Sequence, residues 1–401
     1  MRGEGKARFL VLLTLAWGPL ALAGQSGFVR WQGSRGQFST WQRSGVSLTA
    51  EGSLQLDYPT APTATDPYAP GAYNGGNFYN GGSFHVGEAL SPVLDAGFNW
   101  REAVASWEAQ TPPGTWVETQ VRAQVSGTWT KWYNLGVWAA EGSTVRRHSA
   151  GSQSDTTAYV GIDTLVVTAK KAAARAYQVK VRLFSTTSTA LPRVLASALT
   201  VSTSPESAPA LFPGNASYWN RVLAVPPCSQ MVYADGGEVW CSPTSSAMVQ
   251  RYWAGDTAAG ACEAPVRAAV SGVYDWIYRG HGNWPFNTAY AAAKGFQAHV
   301  TRFTGFHQVE PWIAAGVPVI LSVSWGKGEL TGAPIESTAG HLIVLVGFDA
   351  SGNPVVNDPA ASSDAGVRRT YLRSQLEPLW LSASAGTAYL VYPTGWQVPA
   401  L

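Results

Sequence analysis

The chain of 401 residues is too long for one ordinary core and suits two or three domains. Only 13% of its residues are charged and the formal net charge is +2, which argues against a nucleic-acid binder with a clustered basic face. Its 18 Trp and 42 Gly favour loop-rich β architecture over helical bundles.

The N-terminus reads as an export signal. Arg2, Lys6 and Arg8 precede the apolar run FLVLLTLAWGPLALA, and Ala21-Leu22-Ala23 supplies a small-x-small cleavage site. The run is short and broken by Gly18-Pro19, and no other stretch approaches the ~18 consecutive apolar residues of a spanning helix. Residues 1–23 are therefore expected to be a signal peptide cleaved after Ala23. The mature protein is expected to be secreted, or at least extracytoplasmic, with no stable membrane span.

Residues 24–203 read as an all-β domain. FVRWQ, SLTA and SLQLDY come first, and the Pro-, Gly- and Tyr-rich residues 59–85 read as irregular loop. AVASWEAQ, TWVETQVRAQV, TWTKWYNLGVW, TAYVGIDTLVVT, AYQVKVRLFST and RVLASALTVST follow as short strand runs. TQVRAQV and YQVKVRLF alternate apolar and polar residues, as half-buried antiparallel strands do. So many strands without a helix predict a sandwich, jelly-roll-like in type, with Trp129, Trp132 and Trp138 in its core. His85 and His148 are isolated there, and no catalytic constellation accompanies them.

The Ser-, Pro- and Ala-rich residues 204–217 read as a linker. Residues 218–397 read helical first and β later, an α+β pattern. Helices are predicted at 242–254, within AAGACEAPVRAAVSGVYDW, at NTAYAAAKG and at VEPWIAAG; strands at QAHVTRFTG, VPVILSVSW, HLIVLVGFD and NPVVND.

Chemistry concentrates in this second half. Its three cysteines, Cys228, Cys241 and Cys262, fit no zinc spacing, and an odd number leaves at least one unpaired in a monomer. A Cys228–Cys262 disulfide with Cys241 free is the simplest arrangement. Cys241 precedes Ser242, a cap candidate, and Pro243, which suits a first helical turn. A thiol at a helix start is favoured as thiolate by the dipole and the free N–H groups. His341 opens a continuously apolar strand, and Asp358 ends the next one, joined to it by the turn 349–353. That hairpin brings Asp358 back towards His341, while a one-residue shift turns Asn357 to the opposite face. Gln230 can donate an amide N–H to a developing oxyanion.

VPPCSQMVY, WCSPTSSAMVQRYW, GNWPFNTAYA, AAGVPVILSVSW, AGHLIVLVGFD and VVNDPAA, in this order, resemble the bacterial papain-like cysteine peptidases related to bacteriocin-leader peptidases, over roughly residues 215–395. The segment from SPVLDAGFNW to YNLGVW is similar to β-sandwich domains that precede such peptidases. The resemblance implies an N-terminal sandwich and a papain-like cysteine peptidase domain, with Gln230 as oxyanion donor, Cys241 as nucleophile, His341 as base and Asp358 as orienting acid. It implies a peptide or protein substrate, no cofactor and no metal, with the sandwich free to contact the cell envelope. No transporter segments accompany the peptidase, so leader removal at a double-glycine site is not the expected reaction. Two rival readings use the same residues: a catalytically silent binding protein that works through the sandwich, and an acyltransferase or cell-wall amidase.

Overall fold

The computed structural model describes residues 24–67, 79–151, 153–256, 258 and 260–401. The export signal lies outside the described residues, as do residues 68–78 of the Pro-, Gly- and Tyr-rich segment; the rest of that segment is not all loop, since it holds the strand Thr63–Thr65 and the start of the strand Ser83–Leu90. Among the described residues no helix is long and apolar enough to cross a membrane.

The N-terminal half consists of two antiparallel sheets. One has eight strands centred on Thr115–Val125 and Ala174–Ser185; the other has seven, centred on Glu102–Gln110 and Arg193–Ser202. Val121 and Val181 of the first sheet and Leu165 and Leu199 of the second belong to one buried apolar cluster. Two runs that read as single strands are divided. TAYVGIDTLVVT is a hairpin of Ala158–Gly161 and Thr164–Val167, turning at Ile162-Asp163. TWTKWYNLGVW separates into Thr128–Trp129 and Tyr133–Trp138. Of the three tryptophans expected in the core, Trp138 is buried. Trp129 and Trp132 are only half-buried, with the Arg122 guanidinium 4.5 and 4.8 Å from their rings.

The C-terminal half is built on a seven-stranded antiparallel sheet. Its order is Phe296–Arg302, Thr387–Pro393, Val319–Trp325, Thr338–Phe348, Pro354–Asn357 and Arg368–Thr370, with Arg221–Val222 added along the fourth strand. The near-continuous apolar runs of its central strands have a simple cause: both faces are covered. Ile320, Val344 and Val346 face α1 (Cys241–Trp253), α2 (Glu263–Val273) and α3 (Trp284–Ala293). Val319, Leu321, Ile343 and Leu345 face α4 (Phe306–Ala314) and α5 (Arg373–Ser384). Helix α5 was not signalled by the sequence, because Pro378 interrupts its interior and ordinarily argues against a helix. Buried Leu376, Trp380 and Leu381 hold it to the sheet.

The two halves share a core. The strand Phe296–Arg302 runs across the seven-stranded sheet of the sandwich and bonds to it through side chains. The Val300 N–H donates to Ser106 Oγ at 3.2 Å, and Thr200 Oγ1 donates to the Val300 carbonyl at 3.0 Å. Glu108 accepts the Ala298 N–H at 3.0 Å, and buried Arg302 reaches Glu102 at 2.7 Å and Ser202 Oγ at 2.6 Å. Phe286 of α3, fully buried, packs against Trp107 and Trp138 of the sandwich with ring centroids 6.2 and 5.5 Å apart. One face of an antiparallel sheet is commonly left to solvent; here a second domain covers part of it.

Candidate active site

Helix α1 begins at Cys241 itself, one residue earlier than the sequence suggests, and no side chain caps it. Ser242, expected as the cap, is instead buried inside the first turn, 3.0 Å from the Tyr389 hydroxyl. The first N–H groups of a helix lack intrahelical partners. The backbone N–H groups of Ser242 and of Leu342 favour negative charge on the Cys241 sulfur. Burial pushes the thiol up. The hydrogen bond and charge of His341, together with those two N–H groups, outweigh burial and hold it below its ordinary value.

His341 lies in the strand Thr338–Phe348, three residues after its start, beside Val323 of the neighbouring strand. Its Nε2 is 2.7 Å from Asp358 Oδ1, which leaves Nδ1 as the ring nitrogen not engaged by the carboxylate. The Trp325 ring meets the imidazole edge-on, with centroids 5.6 Å apart. Burial opposes a charge on this ring. The Asp358 carboxylate and the Cys241 sulfur overcome that penalty and raise the imidazole to about 10.

Asp358 follows the strand Pro354–Asn357, and the hairpin register Val344↔Asn357 carries it towards His341. Fully buried, it accepts three hydrogen bonds: His341 and the Ala360 N–H (3.0 Å) on Oδ1, and the Tyr371 hydroxyl (2.7 Å) on Oδ2. Burial alone would raise this carboxyl; the charge and bond of His341 and the bonds from Tyr371 and Ala360 hold it below its ordinary value. Asn357 points elsewhere, donating to the Val225 carbonyl at 3.2 Å and accepting from Arg368 Nε at 2.6 Å. Tyr371, whose hydroxyl is pushed up by burial and by Asp358, carries no motif and escapes sequence reading.

Gln230 is buried in the loop after Cys228. Its backbone N–H donates to the Pro359 carbonyl at 2.8 Å, and its Nε2 to the Gly237 carbonyl at 2.7 Å. Ser229 ties the same loop to the Asp358 loop, its N–H donating to Asp364 at 2.7 Å. A Cys228–Cys262 disulfide fastens the loop to the start of α2, and Cys241 is the free cysteine. Arg251 Nη1 sits 3.3 and 3.2 Å from the two bridged sulfurs.

Gln230, Cys241 and His341 line one cleft of 730 Å³. His281, in the turn-rich loop before α3, lines it too, and burial pushes its imidazole down to about 4. Trp284 is a wall residue; Trp240 is buried at the helix start, its ring tilted against Tyr233 with centroids 5.6 Å apart. The sandwich also contributes, through Gly161, Ile162, Asp163 and Thr164. Among the described residues, no three His, Cys, Asp or Glu side chains form a group able to hold a metal ion. A depressed thiol beside a raised, carboxylate-bound imidazole has the chemistry of a nucleophile with its proton partner.

Comparison with known families divides the chain in the same two parts. Residues 27–202 match the family model of the peptidase C39 N-terminal domain, and residues 222–387 match that of the peptidase C39-like family. A search of the curated proteins finds no match. The chain belongs to the peptidase C39-like family and carries the C39 N-terminal domain ahead of its peptidase-type domain.

Proposed function

We propose that this chain is a secreted, papain-like cysteine peptidase that hydrolyses peptide or isopeptide bonds. The observation that carries the reading is the line Asp358–His341–Cys241, with the imidazole raised to about 10 and the thiol lowered. At neutral pH the raised imidazole carries its proton, and its charge beside the sulfur favours the thiolate form of Cys241. The thiolate attacks the substrate carbonyl carbon, forming a C–S bond and an oxyanion. Gln230 Nε2, which has a second N–H beyond the one given to Gly237, and the Cys241 N–H serve that oxyanion. His341 passes its proton to the leaving nitrogen as the C–N bond breaks. It then takes a proton from water, which attacks the thioester and releases the acid. Asp358 keeps the ring in one tautomer throughout. The disulfide fits an oxidising compartment, and so supports export. The proposed division is a signal peptide at 1–23, a sandwich at 24–203, a linker at 204–217 and a peptidase domain at 218–397.

Iodoacetamide labelling tests the pair directly, because the other two cysteines are bridged. Labelling of Cys241 should be fast at neutral pH and should slow in His341→Ala. Cys241→Ala should abolish peptide turnover, and His341→Ala should lower kcat/KM by about 10²- to 10⁴-fold. Turnover should fall as pH rises through about 10, where His341 loses its proton. Labelling as slow as that of an ordinary thiol and indifferent to His341→Ala, or turnover that survives Cys241→Ala, overturns the reading.

A further inference from the structure

The wall of the cleft supplied by the sandwich is built in an unusual way. The strands Ala158–Gly161 and Thr164–Val167 pair with Gly161 opposite Thr164, leaving Ile162 and Asp163 as a two-residue turn. Ile162 has φ +62°, the left-handed region that such turns normally give to Gly, Asn or Asp. A β-branched residue there is a genuine outlier, and strain of this kind collects at sites where position matters. Its side chain is half-open to solvent and lines the cleft that holds Cys241 and His341.

The turn is held in place from the other domain. Asp163 is buried, and its Oδ2 accepts the N–H of Trp284, the first residue of α3, at 2.7 Å; Oδ1 accepts from Thr164 Oγ1 at 3.0 Å. The hairpin is therefore pinned to the start of a peptidase-domain helix whose Trp284 lines the same cleft. Burial first, and then the charges of Asp163 and Cys241, raise the Tyr278 hydroxyl, so the two domains' groups act on one residue of the wall.

The remaining rim mixes polar side chains, among them exposed Glu238 and Arg279, with large apolar ones that stay open to solvent. Met231, Val239 and Tyr278 are 43, 57 and 44% exposed, and all three line this cleft together with Ile162. Large side chains left open around one concavity mark a binding surface for apolar groups.

We propose that the hairpin tip Gly161–Thr164 is the substrate-selecting wall of the cleft, with Ile162 receiving an apolar side chain of a peptide bound at Cys241. The inference rests on the peptidase reading above and names its substrate class: extended peptides with a large apolar residue beside the scissile bond. Asp163 is a positioning residue that fixes the tip.

Ile162→Gly in the full chain tests this, because glycine accepts the positive φ and removes only the side chain. Fluorogenic peptides carrying Leu or Phe beside the scissile bond should lose about tenfold in kcat/KM. Matched peptides carrying Ser or Asn should change less than twofold, and the iodoacetamide rate at Cys241 should be unchanged. Equal loss on both peptide sets, or no loss on either, overturns the proposal. Binding of the same labelled peptides to Cys241→Ala, with and without Ile162→Gly, separates the two readings. A wild type that turns over no peptide, with apolar binding that Ile162→Gly removes, sinks the peptidase reading and keeps the wall. Turnover with a preference untouched by Ile162→Gly does the reverse, and absence of peptide binding removes the wall.

Discussion

Tyr371→Phe removes one hydroxyl and leaves the ring. Both Tyr371 and Asp358 are buried, and their bond is 2.7 Å long, so water has no ready access to replace it. A hydrogen bond to a charged group is worth about 1.5–3 kcal/mol. Without it, the Asp358 carboxyl should climb from its lowered position. His341 and the Ala360 N–H still hold it ionised at neutral pH, so Cys241 should remain reactive there. Stability should show the loss. A carboxylate depressed in the fold contributes stability that is present above its unfolded value, near 3.8, and that disappears as pH falls through the folded one. Urea unfolding should therefore place Tyr371→Phe about 1.5–3 kcal/mol below wild type at about pH 7, with the gap shrinking below about pH 4. The acid limb of Cys241 alkylation should move upward in parallel. A gap that is the same at both pH values, or below roughly 0.5 kcal/mol, refutes the charge-assisted bond.

Phe286→Ala opens a void between α3 and two sandwich tryptophans, and should cost about 3–5 kcal/mol in denaturant unfolding followed by Trp fluorescence. Wild type should show one coincident transition for fluorescence and for loss of the fast Cys241 labelling; two separated transitions would refute a shared core. Replacing Cys228 and Cys262 together by Ala opens a loop of sequence separation 34 and should cost about 3–4 kcal/mol. Turnover should then fall more than Cys241 labelling does, since the loop that loses its tether carries Gln230 rather than the thiol.

Much of the site was legible because it follows from local rules. Cys241 at a helix start, and Asp358 rather than Asn357 turned towards His341, follow from dipole, hairpin and period-two arguments that need no tertiary knowledge. The long strands Thr115–Val125 and Ala174–Ser185 were legible for the same reason. Residues whose role depends on the partner they meet were not. Tyr371 is an ordinary aromatic until Asp358 lies beside it. Ser242 reads as a cap until Tyr389 claims its hydroxyl. Helix α5 forms in spite of Pro378 because tertiary burial outweighs local preference. Ile162-Asp163 lacks the usual Asn-Gly or Asp-Gly signal, so the hairpin reads as one strand. The tryptophans Trp107 and Trp138 announce a core, but nothing in their own segments says that the core continues into α3.

The covered face of the sandwich removes modularity from this chain. A cut in the Ser- and Pro-rich segment after Ser202 would give two pieces, each with a wet scar: Phe286 and the strand Phe296–Arg302 bare on one, Trp107 and Ser106 bare on the other. Recombination that exchanged one half for a relative's would have to match this seam as closely as a subunit interface. Because the hairpin that lines the cleft belongs to the exchanged piece, any drift in the sandwich is also drift in the mouth of the cleft.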